Sequence, residues 1–277
     1  MKSILLVCLA ACLTIAGFAQ TDTTGKKETN DTIRIGGMII VKKPGSNERE
    51  IIRNNKSVNI RGRKYKSENV TTNWMILDLG FSSFNDKTNY ASPAAQAFAP
   101  GSNEDWFQLR GGKSRSVNLW FFMQRLNMIE HVVNLKYGIG LELNNYFFDD
   151  ERIRFQKNPT LVTMDAALKD AKKNKLAVDY LTVPLMLNFN FTPNRSNGFG
   201  LSAGISGGFM YSARQKTKIS GDKDKVKNDF DLKRWKLSYI GELNLGPVKL
   251  YGSYAFKTMW DKGLDQTPYT VGFRISN

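Results

Sequence analysis

Val133-Asn134-Leu135-Lys136-Tyr137-Gly138-Ile139-Gly140-Leu141-Glu142-Leu143-Asn144 sorts its side chains into two sets. Val133, Leu135, Tyr137, Ile139, Leu141 and Leu143 fall on one side; Asn134, Lys136, Gly138, Gly140, Glu142 and Asn144 fall on the other. Successive side chains of a strand point to opposite faces, so a period of two marks a strand between unlike surroundings. A strand of a soluble sheet usually runs about 5–6 residues. This alternation runs on for twelve residues. A tilted strand needs about 9–11 to cross the hydrocarbon of a bilayer.

The pattern recurs seven more times. The first strand sets Met75, Leu77, Leu79 and Phe81 against Asp78 and Gly80. The second sets Val117, Leu119, Phe121 and Met123 against Asn118, Trp120 and Gln124. Leu181, Val183, Leu185, Leu187, Phe189 and Phe191 oppose Thr182, Asn188 and Asn190 in the fourth. In the fifth, Phe199, Leu201, Ala203, Ile205 and Phe209 oppose Gly200, Ser202, Gly204 and Ser206. The sixth has Trp235, Leu237, Tyr239, Leu243 and Leu245 against Lys236, Ser238, Glu242 and Asn244. The seventh has Val248, Leu250, Tyr254 and Phe256 against Lys249, Tyr251 and Ser253. The last has Tyr269, Val271, Phe273 and Ile275 against Thr270, Gly272, Arg274 and Ser276.

Between these strands the connections alternate in length. Long ones cover about 85–113, 149–175 and 213–233, with a medium one at 258–266. Short ones lie at Asn127–Glu130, Thr192–Asn197 and Gly246-Pro247. Outer-membrane barrels pair short periplasmic turns with longer extracellular loops. Phe189, Phe191 and Phe199 flank a short turn; Tyr211, Trp235, Tyr239, Tyr254, Phe256 and Tyr269 lie near the long loops, as two interfacial girdles would. Pro184 removes a ladder donor in mid-strand, so a bulge is expected there, and Gly207-Gly208 is a second candidate bulge.

The expected fold is all-β: an eight-stranded antiparallel transmembrane β-barrel over 72–277, with both chain ends periplasmic and the long loops extracellular. Beyond the first 20 residues no apolar run approaches the 18 or so that a membrane helix requires. Residues 1–19 have the form of a signal peptide: Lys2, an apolar stretch from Ile4 to Ile15, and Gly17-Phe18-Ala19 before Gln20. Leu9-Ala10-Ala11-Cys12 is a competing lipobox, with a very short apolar region before it. Both cysteines, Cys8 and Cys12, lie in this segment, so cleavage after Ala19 leaves no thiol for disulfides, metal or catalysis. Residues 20–71 are polar and basic and are expected to be a mostly flexible periplasmic extension, with a candidate small hairpin at 32–43. The net charge of +15 would point to nucleic acid in the cytoplasm. Export replaces that partner with lipid phosphate, lipopolysaccharide and the cell wall.

The chain resembles the Bacteroidota outer-membrane β-barrel family, in its PorT-like group. The resemblance rests on Phe18-Ala19-Gln20, on Thr72-Asn73-Trp74-Met75-Ile76-Leu77-Asp78-Leu79-Gly80-Phe81, on Tyr180-Leu181-Thr182-Val183-Pro184-Leu185-Met186-Leu187, and on Tyr269-Thr270-Val271-Gly272-Phe273-Arg274. It implies an outer-membrane barrel and, for some members, a role in secretion or envelope assembly. It carries no site residues.

Eight strands enclose a lumen that side chains can fill. Inward parity gives that lumen Asp78, Lys136, Glu142, Lys236, Glu242, Lys249 and Arg274. Charges of both signs in so narrow a space are expected to pair, because an unpaired buried charge is costly. The loops are basic, and Lys216, Lys218, Lys223, Lys225 and Lys227 are candidates for contact with lipopolysaccharide phosphate. The single histidine, His131, sits at a short turn with no nucleophile and acid beside it in sequence. Asp222-Lys223-Asp224 lacks the glycine and glutamate spacing of a calcium loop. No cofactor, metal or catalytic site is expected. The expected function is a non-enzymatic envelope protein, engaging lipid or secretion-machinery proteins. A narrow ion or small-ligand conduit is the alternative, and a membrane-embedded hydrolase or acyl transferase ranks behind both.

Overall fold

The computed structural model describes residues 31–35, 38–42, 48–53, 56–61, 68–193, 195 and 198–276. The signal-peptide and lipobox readings of residues 1–19 lie outside them. The chain divides into two units, Met1–Lys64 and Tyr65–Asn277. In the first, β1 (Asp31–Ile35), β2 (Met38–Lys42), β3 (Glu48–Arg53) and β4 (Lys56–Arg61) form a four-stranded antiparallel meander. β1 and β2 pair from Asp31↔Lys42 to Ile35↔Met38, within the segment expected to hold one hairpin. β3 and β4 have no counterpart in the sequence reading. Glu48-Arg49-Glu50-Ile51-Ile52-Arg53 places two isoleucines side by side among charges, so no period of two is visible there.

The second unit is a ring. Its eight long strands are β5 (Val70–Asp86), β6 (Arg115–Ile129), β7 (Val133–Phe147), β10 (Lys173–Asn190), β11 (Phe199–Ile219), β13 (Trp235–Leu245), β14 (Val248–Ala255) and β15 (Gln266–Ile275). Each pairs antiparallel with the next. The last pairs with the first from Gln266↔Asp86 to Ile275↔Leu77, so the ladder returns to its start. Gly246, at φ +74°, and Pro247 make the tightest turn, between Leu245 and Val248. Gly80 and Gly272 face each other across the β5–β15 seam. A Cβ on Gly272 would lie 2.3 Å from the Leu79 carbonyl oxygen, so only glycine permits this approach.

The ring is inside-out relative to a soluble barrel. Leu181, Val183, Leu185, Leu187 and Phe189 are exposed on β10, while Thr182, Met186 and Asn188 between them are buried. Trp235 is 69% exposed and Asp78 0%. Exposed apolar and buried polar side chains have one physical reading, a lipid-facing belt around a polar lumen. Exposed aromatics stand at both rims: Trp74, Phe191 and Phe199 at the short-turn end, and Phe209, Tyr211 and Trp235 at the long-loop end.

Three local expectations are corrected. Met123 faces inward, because Phe121 bulges between Trp120 and Phe122 and reverses the phase of β6. Pro184 induces no bulge: the β10–β7 ladder lacks pairs at Val183 and Pro184 but resumes in the same register at Leu185↔Tyr137. No register shift occurs at Gly207-Gly208; the shift lies where Tyr180 pairs with Met210 and Asp179 with Ser212, leaving Tyr211 as the extra residue. Ahead of β10, Ala166–Leu168 form a single 3-10 turn, and Lys173 and Lys175 belong to the strand itself.

The long connections are folded. They carry α1 (Pro93–Phe98), the hairpin β8 (Ile153–Phe155) with β9 (Val162–Met164), and β12 (Asp222–Lys227), which extends the sheet beside β11. Ser92 caps α1 by accepting the Ala95 N–H, and Pro93 opens its first turn. Phe155 is the hub of an aromatic core, with Trp260 stacked at 5.9 Å, Phe230 at 5.4 Å and Phe148 at 5.7 Å between centroids. Inward residues of the strand extensions, including Tyr146, Leu176, Val178 and Met210, complete this core. A dome of the soluble type therefore caps the barrel at its long-loop end.

Candidate functional site

The lumen below the dome is filled by ion pairs. Arg274 reaches in from β15, and its Nε and Nη2 donate to the two oxygens of Asp78 on β5 at 2.6 and 2.7 Å. The other guanidinium nitrogen contacts Glu242 on β13, which also receives the Lys136 ammonium from β7. A second pair joins Lys236 on β13 to Glu142 on β7. Two clusters thus hold six of the seven charges placed here by parity. Lys249 is the exception: its ammonium donates to the Ser276 hydroxyl at 2.5 Å and the Ser276 carbonyl at 3.2 Å.

Neutral donors complete the carboxylates. Trp120 Nε1 donates to Asp78 Oδ2 at 2.7 Å, and Asn118 donates to the same oxygen at 3.4 Å. Asn144 and Thr182 donate to Glu142 at 3.0 and 3.3 Å. Arg274 lies over the Trp120 ring at 5.6 Å and Lys236 over the Tyr180 ring at 4.7 Å. Trp120 and Tyr180 thus carry part of the polar network, and their inward parity is the sequence signal that reveals them. Only a cavity of about 20 Å³ remains between Glu142, Glu242 and Arg274.

A second array of charge stands on the outside, beyond the apolar belt. The bulge at Tyr211 reverses the phase of β11, so Arg214, Lys216 and Lys218 alternate with the buried Gln215 and Thr217. Register then aligns rows of cations across three strands. Lys175, Lys216 and Lys225 form one row, and Lys173, Lys218 and Lys223 the next. Lys227 pairs across from Arg214. On β12, Val226 packs against the dome core. Strand alternation therefore sends Asp222 and Asp224 to the inner side with it, and Lys223, Lys225 and Lys227 to the outer. Burial and the neighbouring Lys173, Lys216 and Arg214 push the Lys175 ammonium down to about 8. Lys216 is lowered for the same reasons. Arg214 is neutralised by Asp179, and Lys175 donates to Asn145 Oδ1.

A family model described as outer membrane protein beta-barrel domain matches residues 18–256. The chain belongs to this family of outer-membrane β-barrel domains. The inverted burial of its belt is what such a domain requires, and it places the protein in the outer membrane. No curated protein matches the chain.

In this barrel His131 has a backbone role. It occupies a positive-φ turn position after Glu130, and its N–H donates to Asn127 Oδ1 at 2.7 Å. Among the described residues, no group of three or more His, Cys, Asp or Glu could hold a metal ion.

Proposed function

We propose that this barrel is a closed, non-enzymatic envelope protein of the PorT-like kind, serving secretion, assembly or outer-membrane structure rather than solute passage. One observation carries this reading: the lumen is stoppered twice in series. The Asp78–Arg274–Glu242–Lys136 and Glu142–Lys236 clusters fill it at belt level. The Phe155 core fills it again above. An open conduit would need a continuous wet path, and two unlike plugs argue against one. In the proposed orientation the short turns and chain ends face the periplasm and the dome faces outward, following the asymmetry of loop lengths in such barrels. The cationic rows on β10, β11 and β12 then stand at the outer leaflet, where lipopolysaccharide phosphates supply the anions that their in-register repulsion calls for.

Reconstitution into planar bilayers tests the closed state. The purified chain is expected to give no discrete conductance steps; reproducible steps would favour the narrow conduit. Crosslinking in native membranes tests the accessory role. A consistent envelope partner should be recovered and should be lost when residues 21–70 are deleted; recovery of no partner would remove that role.

A further inference from the structure

Below the ion-pair plug, toward the short turns, the lumen widens into a cavity of about 360 Å³. Pockets for small solutes begin at roughly 300 Å³. Five cationic side chains line it, Arg125, Lys136, Arg195, Lys249 and Arg274, and no aspartate or glutamate does. Lys136 and Arg274 are neutralised from above by Glu242 and Asp78. The other three have no carboxylate partner among the described residues. Among the described residues, Arg125 meets the Thr71 hydroxyl at 3.5 Å, and Lys249 meets the oxygens of Ser276.

The remaining wall suits the same ligand. Asn73, Asn190 and Asn244 add side-chain amides that can donate. Three cations with no carboxylate partner among the described residues, around one concavity with low-dielectric walls, focus a positive potential into it. A guanidinium fork and an ammonium point charge together match a tetrahedral oxyanion better than a flat or apolar solute. The plug above makes the cavity blind, so it can hold a ligand and not pass one.

We propose that this vestibule binds a small multivalent oxyanion of the phosphate class, with Arg125 and Lys249 as its principal ligands. Entry from the periplasm rests on the orientation proposed above; the binding itself does not, and is measured in detergent.

Titration calorimetry of the full chain in an uncharged detergent, with inorganic pyrophosphate as probe, should give saturable binding of one equivalent. The R125Q/K249Q variant should bind at least about tenfold more weakly, as expected when charge-assisted bonds are lost. Absence of saturable binding, or equal affinity in that variant, would overturn the proposal. A second measurement needs no substitution. Pyrophosphate should slow acylation of Lys249 by an aqueous amine reagent, read by mass spectrometry on the wild-type chain. An unchanged rate at saturating pyrophosphate would equally refute it. Sidedness is read separately, in intact cells with and without permeabilised outer membranes: protection only after permeabilisation assigns the mouth to the periplasm. Protection in intact cells would overturn the orientation and leave the site standing.

Discussion

Arg274 joins two acidic strands through one guanidinium, and that makes it the most consequential lumen residue. It is 7% exposed and serves Asp78 and Glu242 together. Replacing it with methionine keeps the bulk and strands Asp78 as a buried, unpaired carboxylate. The expected cost is about 3–5 kcal/mol in urea unfolding from lipid vesicles. The double change R274M/D78L removes both charges and should recover most of that loss, because Glu242 keeps Lys136. If the double variant is as unstable as the single one, the pair is not what holds β15 to β5. The residues of this cluster were legible in the sequence because parity alone sends Asp78, Glu242, Lys136 and Arg274 inward. Two features were not. Lys249 has the right parity but lies at the cavity end of the lumen, on Ser276 and beyond reach of any carboxylate among the described residues. Met123 has the wrong phase, since nothing in Leu119-Trp120-Phe121-Phe122-Met123 marks which apolar residue will bulge.

The chemistry of a strand's inward face, rather than the strand's existence, is what changes on leaving the membrane. On β10 the apolar set is outward from Leu181 to Phe189, yet Leu176 and Val178 above it are inward, in the dome core. On β11 the bulge at Tyr211 reverses the phase itself. A polar outer face with a mixed inner one has no net period of two in composition, so these extensions look like loops in sequence. That reversal turns Lys216 and Lys218 outward, in line with Lys175 and Lys173 on β10. Lys175 lies six residues beyond Leu181, roughly 20 Å along the strand, and so stands clear of the belt. Its ammonium is held down at about 8 against an ordinary 10.5. The unfolded chain therefore binds more protons across that window, and stability should rise as pH goes from about 8 toward 10.5. Below 8 the penalty is constant, because both states are charged. The slope should flatten in K175Q, and also when phosphorylated glycolipid replaces uncharged detergent. An identical slope in all three conditions would refute the burial of Lys175 among neighbouring cations as its cause. The Lys216↔Lys225 pair belongs to the same row. In uncharged detergent at low salt, K216Q/K225Q should stabilise the barrel by roughly 0.2–1 kcal/mol through relief of cross-strand repulsion. The same variant should retain less lipopolysaccharide on co-purification; equal retention would detach the collar from lipid phosphate.

At the level of the whole barrel, two cores of opposite construction share one ring of strands. The lower core is polar and wrapped in exposed hydrocarbon; the upper is aromatic and wrapped in charge. Alternation made the first visible in the sequence, because lipid and lumen differ sharply at every residue. The second depends on contacts between distant loops, such as Phe98 from 93–98 edge-on to Trp260 at 5.3 Å, which no local period records. Trp260 is the residue on which the dome turns. It is 1% exposed, stacks on Phe155, and donates from Nε1 to Gln266 at 2.9 Å. Trp260→Ala leaves a large cavity and an unpaired acceptor, a loss of about 3–5 kcal/mol for a fully buried tryptophan. If the cores are energetically separate, that loss falls on the dome alone. Hydrogen exchange of the variant in lipid nanodiscs should then show faster exchange at α1 and the β8–β9 hairpin. Belt amides from Leu181 to Phe189 should keep wild-type protection, because their ladders to β7 and β11 do not pass through Trp260. Faster exchange throughout the belt would mean that the barrel is a single cooperative body, with its membrane-spanning part stabilised by the structure standing on top of it.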